Sequence, residues 1–585
     1  MYTLGINAVY HDSAACLIED GHVVAAAEQE RFTRIKHAKR PIPFATYELP
    51  YDAIDYCLRE AGITLGDVDH VAYSYDPYLL LGKHRDDATI TLPLEPSAHP
   101  TPPEWEAAWD PLFLSSIVNA PRHLRGGAPH HLAARFTQWQ PGSRAKAPYR
   151  WHFVEHHAAH AASAFHASPW QEAAVLTLDG RGERATTTYN IGRGNHLERI
   201  GQVNMPHSLG LLYEEVTDYL GFLRSSDEYK VMALASFGTP RYRDDFQAIV
   251  RLQDGGQYMI EPARLEERFG PRRRRGEPLE QRHYDIAHSL QMVLEETVLE
   301  LVRWLHTATR LDRLCLAGGV ALNCVLNARL RDRGPFKEIW VQPAAGDAGT
   351  ALGAALYVDA EERGTGERGY CMDHAFLGPA YDEDEIEGFL RWAKVPYRRL
   401  AHIAEESAVL LAADKIIGWF QGRMEYGPRA LGARSILASP INAAMQARLN
   451  DIKDREDFRP VAPVVLEEET ASWFRVPAPW AGVSPYMLFV YDVLPDKADR
   501  IPAVRHVDGT ARIQTINRAQ HACYYDLLKA FQARTGVPVL VNTSFNTRGE
   551  PIVCTPRDAL ECFWTSPLDA LVIGSFLVVK PEPEA

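Results

Sequence analysis

The sequence predicts an α/β protein of 585 residues in two parts, a duplicated N-terminal domain over residues 1–365 and an α/β C-terminal domain over 366–585. Three observations point there. A rhythm of strand, polar turn, strand, Asp-Gly turn and strand occurs twice, in TLGINAVYHDSAACLIEDGHVVAAAEQE and in AAVLTLDGRGERATTTYNIGRGNHLERI, and mostly helical sequence follows each copy. Glycine and charge replace an apolar helix in EERGTGERGYCMDH, residues 361–374, as at a linker. Past that point arginines recur beside small and turn residues. At ~150 residues per domain, a chain of this length holds two to four domains.

The elements follow in order. HHAAHAASAF is alanine-rich and predicts a helix, AAVLTL a strand ending at Asp179, and Leu314 to Ala317 a short buried strand running into Gly318-Gly319 and a helix. Asp347 opens the helix AGTALGAALYV, and VPVLV is a strand followed by Asn542, Thr543, Ser544 and Asn546. PLEPSAHPTPPEWE, residues 93–106, reads as a surface excursion, and Arg272 to Arg275 as a solvated basic loop. Duplicated halves of this kind resemble the plan of actin-like and sugar-kinase-like ATP-binding domains, with nucleotide in the cleft between them.

The net charge of -14 argues against a nucleic-acid or anionic-membrane partner, so any anion site is built locally. The eight cysteines form no CxxC pair and read as reduced thiols, none a zinc ligand. The N-terminus lacks a signal-peptide pattern, and no apolar run approaches membrane-spanning length. A cytoplasmic location is expected.

His156 and His160, at i and i+4, project from one helix face as a chelating pair must. Asp179 and Asp347 occupy element ends where chains deliver ligands, and two imidazoles with two carboxylates suit Fe(II), Mn(II) or Zn(II). Gly318 and Gly319 leave bare backbone where a ribose or phosphate meets a helix start, or else form a plain strand-to-helix turn. Arg423, Arg429, Arg434, Lys453, Arg455, Arg459, Arg512 and Arg548 suggest an anion pocket, with Asn542, Thr543, Ser544 and Asn546 as neutral donors and acceptors. The alternative is a set of surface ion pairs with acids such as Glu425, Asp451 and Asp454.

HDSAACLIEDG, EQERFTRIKH, HHAAHAASAF, DEYKVMALASFG, AGGVALN, GDAGTALGAA, GRMEYGPRALGARSI, DFRPVAP, DGTARIQT and VNTSFNTRGEPIVCTP occur in this order over nearly the whole chain. Together they resemble the O-carbamoyltransferases of the NodU/CmcH type, which include TobZ-like antibiotic-tailoring enzymes. The resemblance implies an actin-like (ASKHA, Kae-like) N-terminal domain and a YrdC-like C-terminal domain. In the latter, carbamoyl phosphate and ATP, with Mg(II), would give carbamoyl adenylate in a pocket of Arg429, Lys453, Arg455, Arg459, Arg512, Asn542, Ser544, Asn546 and Arg548. In the former, the adenylate would lie on Gly318, Gly319, Val320 and Asn323 beside a metal, most simply Fe(II), on His156, His160, Asp179 and Asp347. A small-molecule hydroxyl acceptor would then take the carbamoyl group. His11, beside Asp12, is the expected general base, its pKa lying near working pH, and Lys36 and His37 are expected to touch the acceptor or leaving phosphate. The chain has Gln29 where the family more often reads a run of glutamates, and residues up to about 150 are the expected acceptor-selecting segment. A homodimer is compatible with all of this. The second reading is a fused tRNA threonylcarbamoyl-transfer enzyme, which would need an extended basic face.

Overall fold

Strand Tyr2–Asn7 sets the pattern of the N-terminal half. Leu4 and Ile6 point into a core shared with Ile54 and Cys57 of helix Tyr51–Glu60, as the two-residue period of a strand requires. Gly5, on the opposite face, meets helix Ala348–Arg363, where a Cβ would lie 1.9 Å from the Ala351 carbonyl oxygen. The computed structural model describes residues 1–38, 48–81, 125–136, 149–364, 368–547 and 549–580.

Two five-stranded sheets have the same topology. In the first, Ala14–Glu19 pairs antiparallel with both Tyr2–Asn7 and His22–Glu28, while His70–Tyr73 and Arg150–Phe153 add in parallel. In the second, Ala185–Arg193 pairs antiparallel with Glu172–Leu178 and His196–Asn204, and Arg313–Ala317 and Glu338–Val341 add in parallel. Each therefore runs third, second, first, fourth, fifth. The duplicated rhythm of the sequence is a duplicated sheet. Helix Gln281–Thr309 covers the second with Ile286, Leu290, Leu294, Val298, Leu301 and Leu305 buried at three- and four-residue steps, the stripe of an amphipathic helix.

The C-terminal part is one mixed eight-stranded sheet, in the order Arg398–Arg399, Phe576–Val579, Ala570–Ile573, Ile417–Phe420, Arg434–Ala438, Val539–Ser544, Ala462–Leu466, Gln514–Ile516. Side chains stitch it to the N-terminal half. Arg423 donates to the carbonyls of Val24 and Leu377 and to the Tyr56 hydroxyl, at 3.2, 2.8 and 3.0 Å. Arg31 reaches the Gly427 carbonyl at 2.8 Å and Lys230 pairs with Glu456 at 2.9 Å.

The expected boundary after residue 365 and the segment 93–106 fall outside the described residues. The basic run is exposed at Arg272, Arg274 and Arg275, as the sequence suggested, and only Arg273 turns inward. Arg273 is buried over the Phe222 ring and donates to the carbonyls of Leu220 and Glu277, because the turn there leaves those oxygens without backbone partners. Arg272 pairs with Asp218. Among the described residues no helix is long and apolar enough to cross a membrane.

Candidate active site

Helix His156–Phe165 begins at the first expected ligand, and its cap comes from elsewhere. The N–H of His156 donates to both carboxylate oxygens of Glu183 at 3.0 and 3.1 Å, so an acid from the turn between strands Glu172–Leu178 and Ala185–Arg193 satisfies an open helix start. One turn on, His160 Nε2 stands 3.2 Å from His156 Nε2. Asp179 follows strand Glu172–Leu178, and Asp347 sits at the cap of helix Ala348–Arg363. His156 Nε2 lies 3.7 Å from Asp179 Oδ2 and 3.5 Å from Asp347 Oδ1, and His160 Nε2 lies 4.0 and 3.7 Å from Asp179 Oδ1 and Asp347 Oδ1.

These spacings fit a shared ion. Ligands bound at ~2.0–2.2 Å around one metal stand about 3–4 Å apart. Both imidazoles are fully buried and the carboxylates nearly so, and burying two carboxylates is costly without a cation. Burial opposes charge on His156, but Asp347 and Asp179 outweigh it and hold its pKa well above the ordinary value. The helices that carry the ligands touch backbone to backbone: at Gly353 a Cβ would lie 1.8 Å from the Ala159 carbonyl oxygen. Outer contacts fix the ligands further. Asp179 Oδ1 accepts from the Gly319 N–H at 2.8 Å, Asp347 Oδ2 from the His11 N–H at 3.1 Å, and His156 Nδ1 faces the Ser74 carbonyl at 3.2 Å.

Next to the quartet runs a hydrogen-bonded chain. Asp12 receives His11 Nδ1 at 3.0 Å on one oxygen and His37 Nδ1 at 2.8 Å on the other, and His37 Nε2 meets Ser226 Oγ at 2.9 Å. Tyr10, Asp12, His37, Ala38 and Ser225 around it all have φ between 45° and 62°. Such left-handed backbone at non-glycine residues concentrates at functional sites. Burial lowers the His11 pKa, but Asp12 raises it more, to about 9, so His11 must shed a proton before it accepts one. Lys36 lies close enough to Lys453 for its charge to add to the lowering of the Lys453 pKa. Gln29 is not on an open face: its oxygen accepts the N–H groups of Asp52 and Ala53, and its amide donates to Asp52.

Arg429, Arg455, Arg459, Arg512 and Lys453 cluster where the C-terminal sheet meets the N-terminal half. Arg429 Nη2 lies 3.5 Å from the Leu322 carbonyl, and Arg459 stacks over Tyr229 at 4.7 Å. Burial and then Arg512 lower the Arg429 pKa to about 9, and burial, Arg459 and Arg512 do the same for Arg455. A guanidinium does not give up its proton at such a site, so the crowded positive charge would favour a bound anion. Arg429 Nε, Arg455 Nη2 and Arg512 Nε are buried with no acceptor. Lys453 Nζ is bound by the oxygens of Ser544 and Asn546.

Other expected residues are used structurally. Arg434 is fully buried, stacked on Phe420 at 3.6 Å and spent on the carbonyls of Gln421, Gly422 and Pro379, and Arg423 is the interdomain clasp. Asn542 and Thr543 lie within strand Val539–Ser544 rather than after it, and the Asn542 amide donates to Ala430 O and Gln514 Oε1. Gly318, at φ 92°, lacks a side chain because a Cβ would lie 2.1 Å from the Leu178 carbonyl oxygen. Gly319 starts a 3-10 turn through Val320, and the Asn323 side chain caps the next helix by accepting from Leu326 N–H. Arg548 and most of the segment up to 150 lie outside the described residues. Glu183 and Ser226 went unpredicted, although Glu183 stands in the same LDGRGE stretch as Asp179.

Comparison with known proteins agrees with this layout. The family model for the carbamoyltransferase N-terminus matches residues 2–79 and 142–356, and that for the carbamoyltransferase C-terminus matches 408–580. The nodulation protein NolNO of Sinorhizobium fredii is 40% identical over 98% of this chain and 80% of its own length. The nodulation protein NolO of Bradyrhizobium diazoefficiens is 42% identical over 73% and 79%, and the Synechocystis protein sll1178 is 41% identical over 99% and 97%. With the N-terminal family model spanning the His156, His160, Asp179 and Asp347 cluster and the C-terminal one spanning the cation cluster, the chain belongs to the carbamoyltransferase family and is a NodU-like carbamoyltransferase.

Proposed function

We propose that the chain is an ATP-dependent O-carbamoyltransferase working in two half-reactions. In the C-terminal region, read as YrdC-like, water hydrolyses carbamoyl phosphate to carbamate and phosphate, and the carbamate attacks the α-phosphate of ATP. Pyrophosphate leaves and carbamoyl adenylate remains. The observation that carries this reading is the cluster Arg429, Arg455, Arg459, Arg512 and Lys453, in which Arg429, Arg455 and Arg512 each keep a buried N–H group without an acceptor, as a site for oxyanions would. Preorganised donors of this kind stabilise charge as it develops, because they need no reorientation during the reaction.

In the N-terminal half the adenylate lies along Gly319 to Asn323, and an acceptor hydroxyl of a natural product or sugar attacks the carbamoyl carbon as AMP leaves. A bound Fe(II), with Mn(II) or Zn(II) as alternatives, would supply Lewis-acid polarisation from His156, His160, Asp179 and Asp347. His11 takes the hydroxyl proton. Asp12, held between His11 and His37, keeps the imidazole in one orientation, as its two short contacts support. Arg429 reaches Leu322, so the first site opens close to the second, which favours a labile intermediate kept from water.

The tRNA reading would need an extended basic face, whereas the chain carries a net charge of -14 and its basic run offers only the short exposed set Arg272, Arg274 and Arg275. The test is to supply carbamoyl phosphate, ATP and a panel of hydroxylated natural products and sugars. Pyrophosphate release with a mass gain of one carbamoyl group is expected; no pyrophosphate from any combination would reject the reading.

A further inference from the structure

We propose that His70, His152 and Glu362 form a second site for a divalent transition-metal ion of the zinc class, at the opposite end of helix Ala348–Arg363 from Asp347. The strands His70–Tyr73 and Arg150–Phe153 are parallel neighbours with Ala72 opposite His152. Side chains two residues apart share a face, so both imidazoles emerge on the side where the helix ends. His70 Nδ1 and His152 Nε2 meet at 2.9 Å, and Glu362 Oε1 lies 4.0 Å from His152 Nε2. All three donor atoms fall within 4.8 Å of one another.

Without an ion, one proton must serve both facing ring nitrogens. A metal replaces that proton and uses both lone pairs, and bond lengths of ~2.0–2.2 Å require ligand spacings only slightly wider than this pair already has. Burial, then His70 and Arg150, lower the pKa of His152, which leaves its ring neutral and able to ligate. Two imidazoles and a carboxylate suit zinc, copper(II) or nickel(II) over magnesium or calcium. The competitor is Arg150, which holds Glu362 at 3.0 Å, but its side chain is 68% exposed, and an ion pair that open to water is weak. An ion here would brace strand Arg150–Phe153, which leads directly to His156, against the helix that carries Asp347.

Chelator-treated full-length protein, re-equilibrated with zinc alone, is expected to hold one zinc more per chain than His152→Gln or His70→Gln treated in the same way. Glu362→Gln, at a partly exposed position that leaves the sheet intact, is expected to weaken that extra binding and to lose part of the zinc-induced rise in melting temperature. Circular dichroism of each variant guards against unfolding. Equal zinc content in the wild-type protein and the folded His152→Gln variant, or an unchanged melting response in Glu362→Gln, would overturn the proposal.

Discussion

The N–H of Gly319 donates to Asp179 Oδ1 at 2.8 Å. That contact ties the segment proposed to carry the nucleotide to a metal ligand, so anything that displaces one end of the turn is felt at the ion. A second contact of this type joins the His11 N–H to Asp347. The quartet is thereby connected to the two loops proposed to hold the reacting partners.

His156→Ala or Asp347→Ala is expected to strip the metal and abolish transfer to the acceptor while leaving pyrophosphate release from carbamoyl phosphate and ATP. Losing about 3 kcal/mol of polarisation corresponds to a fall of roughly 100-fold. Metal analysis beside the two half-reaction assays checks it; a variant that keeps its metal and its transfer rate shows that the ligands lie elsewhere.

Arg429→Ala or Arg512→Ala is expected to slow formation of carbamoyl adenylate by roughly 100-fold or more, as loss of one good charge-stabilising donor does. Transfer from preformed adenylate should survive. Normal adenylate synthesis with failed transfer would reverse the division of labour between the two regions.

His11→Ala is expected to bind ATP and metal and to form the adenylate, yet to transfer it ~100 to 10,000-fold more slowly. His37→Ala should act in the same direction and more weakly, since it reaches the reaction through Asp12 and through its ring contact with His11. Single-turnover transfer from preformed adenylate reads both, and wild-type rates in His11→Ala would make the imidazole a structural group.

Gly353→Ala is expected to destabilise the fold by about 1–3 kcal/mol, the usual cost of overpacking, and to weaken metal binding. The added methyl has to push helix His156–Phe165 away from Asp347, since backbone atoms of Ala159 and Ser163 stand in its way. Calorimetry and metal titration test the two effects together; wild-type affinity for the ion would mean that the helices are not set by this contact.

The pH dependence of stability should carry the mark of Lys453. Burial, and then Arg455 and Arg459, push its pKa well below the ordinary lysine value in the fold. Between that lowered pKa and the unfolded value near ~10.4 the unfolded chain binds more protons, so this group's contribution to stability rises with pH over that window and is smallest below it. Added phosphate should flatten the slope by offsetting the repulsion from Arg455 and Arg459 that helps to lower the Lys453 pKa. Lys453→Met should remove the slope, and urea titrations across pH, with and without phosphate, measure both.

The meeting of His156, His160, Asp179 and Asp347 was legible because each sits at an element end that periodicity locates: the first turn of an alanine-rich helix, the end of an apolar strand, the mouth of a second helix. The duplicated sheets were legible for the same reason. The arginines were not separable in the sequence, since Arg434, buried among carbonyls, and Arg429, with its buried Nε unpartnered, stand five residues apart in one motif. Only tertiary burial distinguishes a guanidinium that satisfies backbone from one that awaits a ligand. The Glu183 cap was hidden in a different way, because it joins a helix start to a turn between two strands and no spacing rule connects it to His156.

Arg423 gives its N–H groups to carbonyls of Val24 and Leu377 and to Tyr56, and Arg31 answers from the other side at Gly427. The two regions are therefore poor candidates for exchange between relatives as interchangeable cassettes. A chimera that joins one relative's N-terminal half to another's C-terminal half inherits a seam in which carbonyl oxygens and guanidinium forks must match position by position, so the seam residues should be transplanted with whichever half is moved.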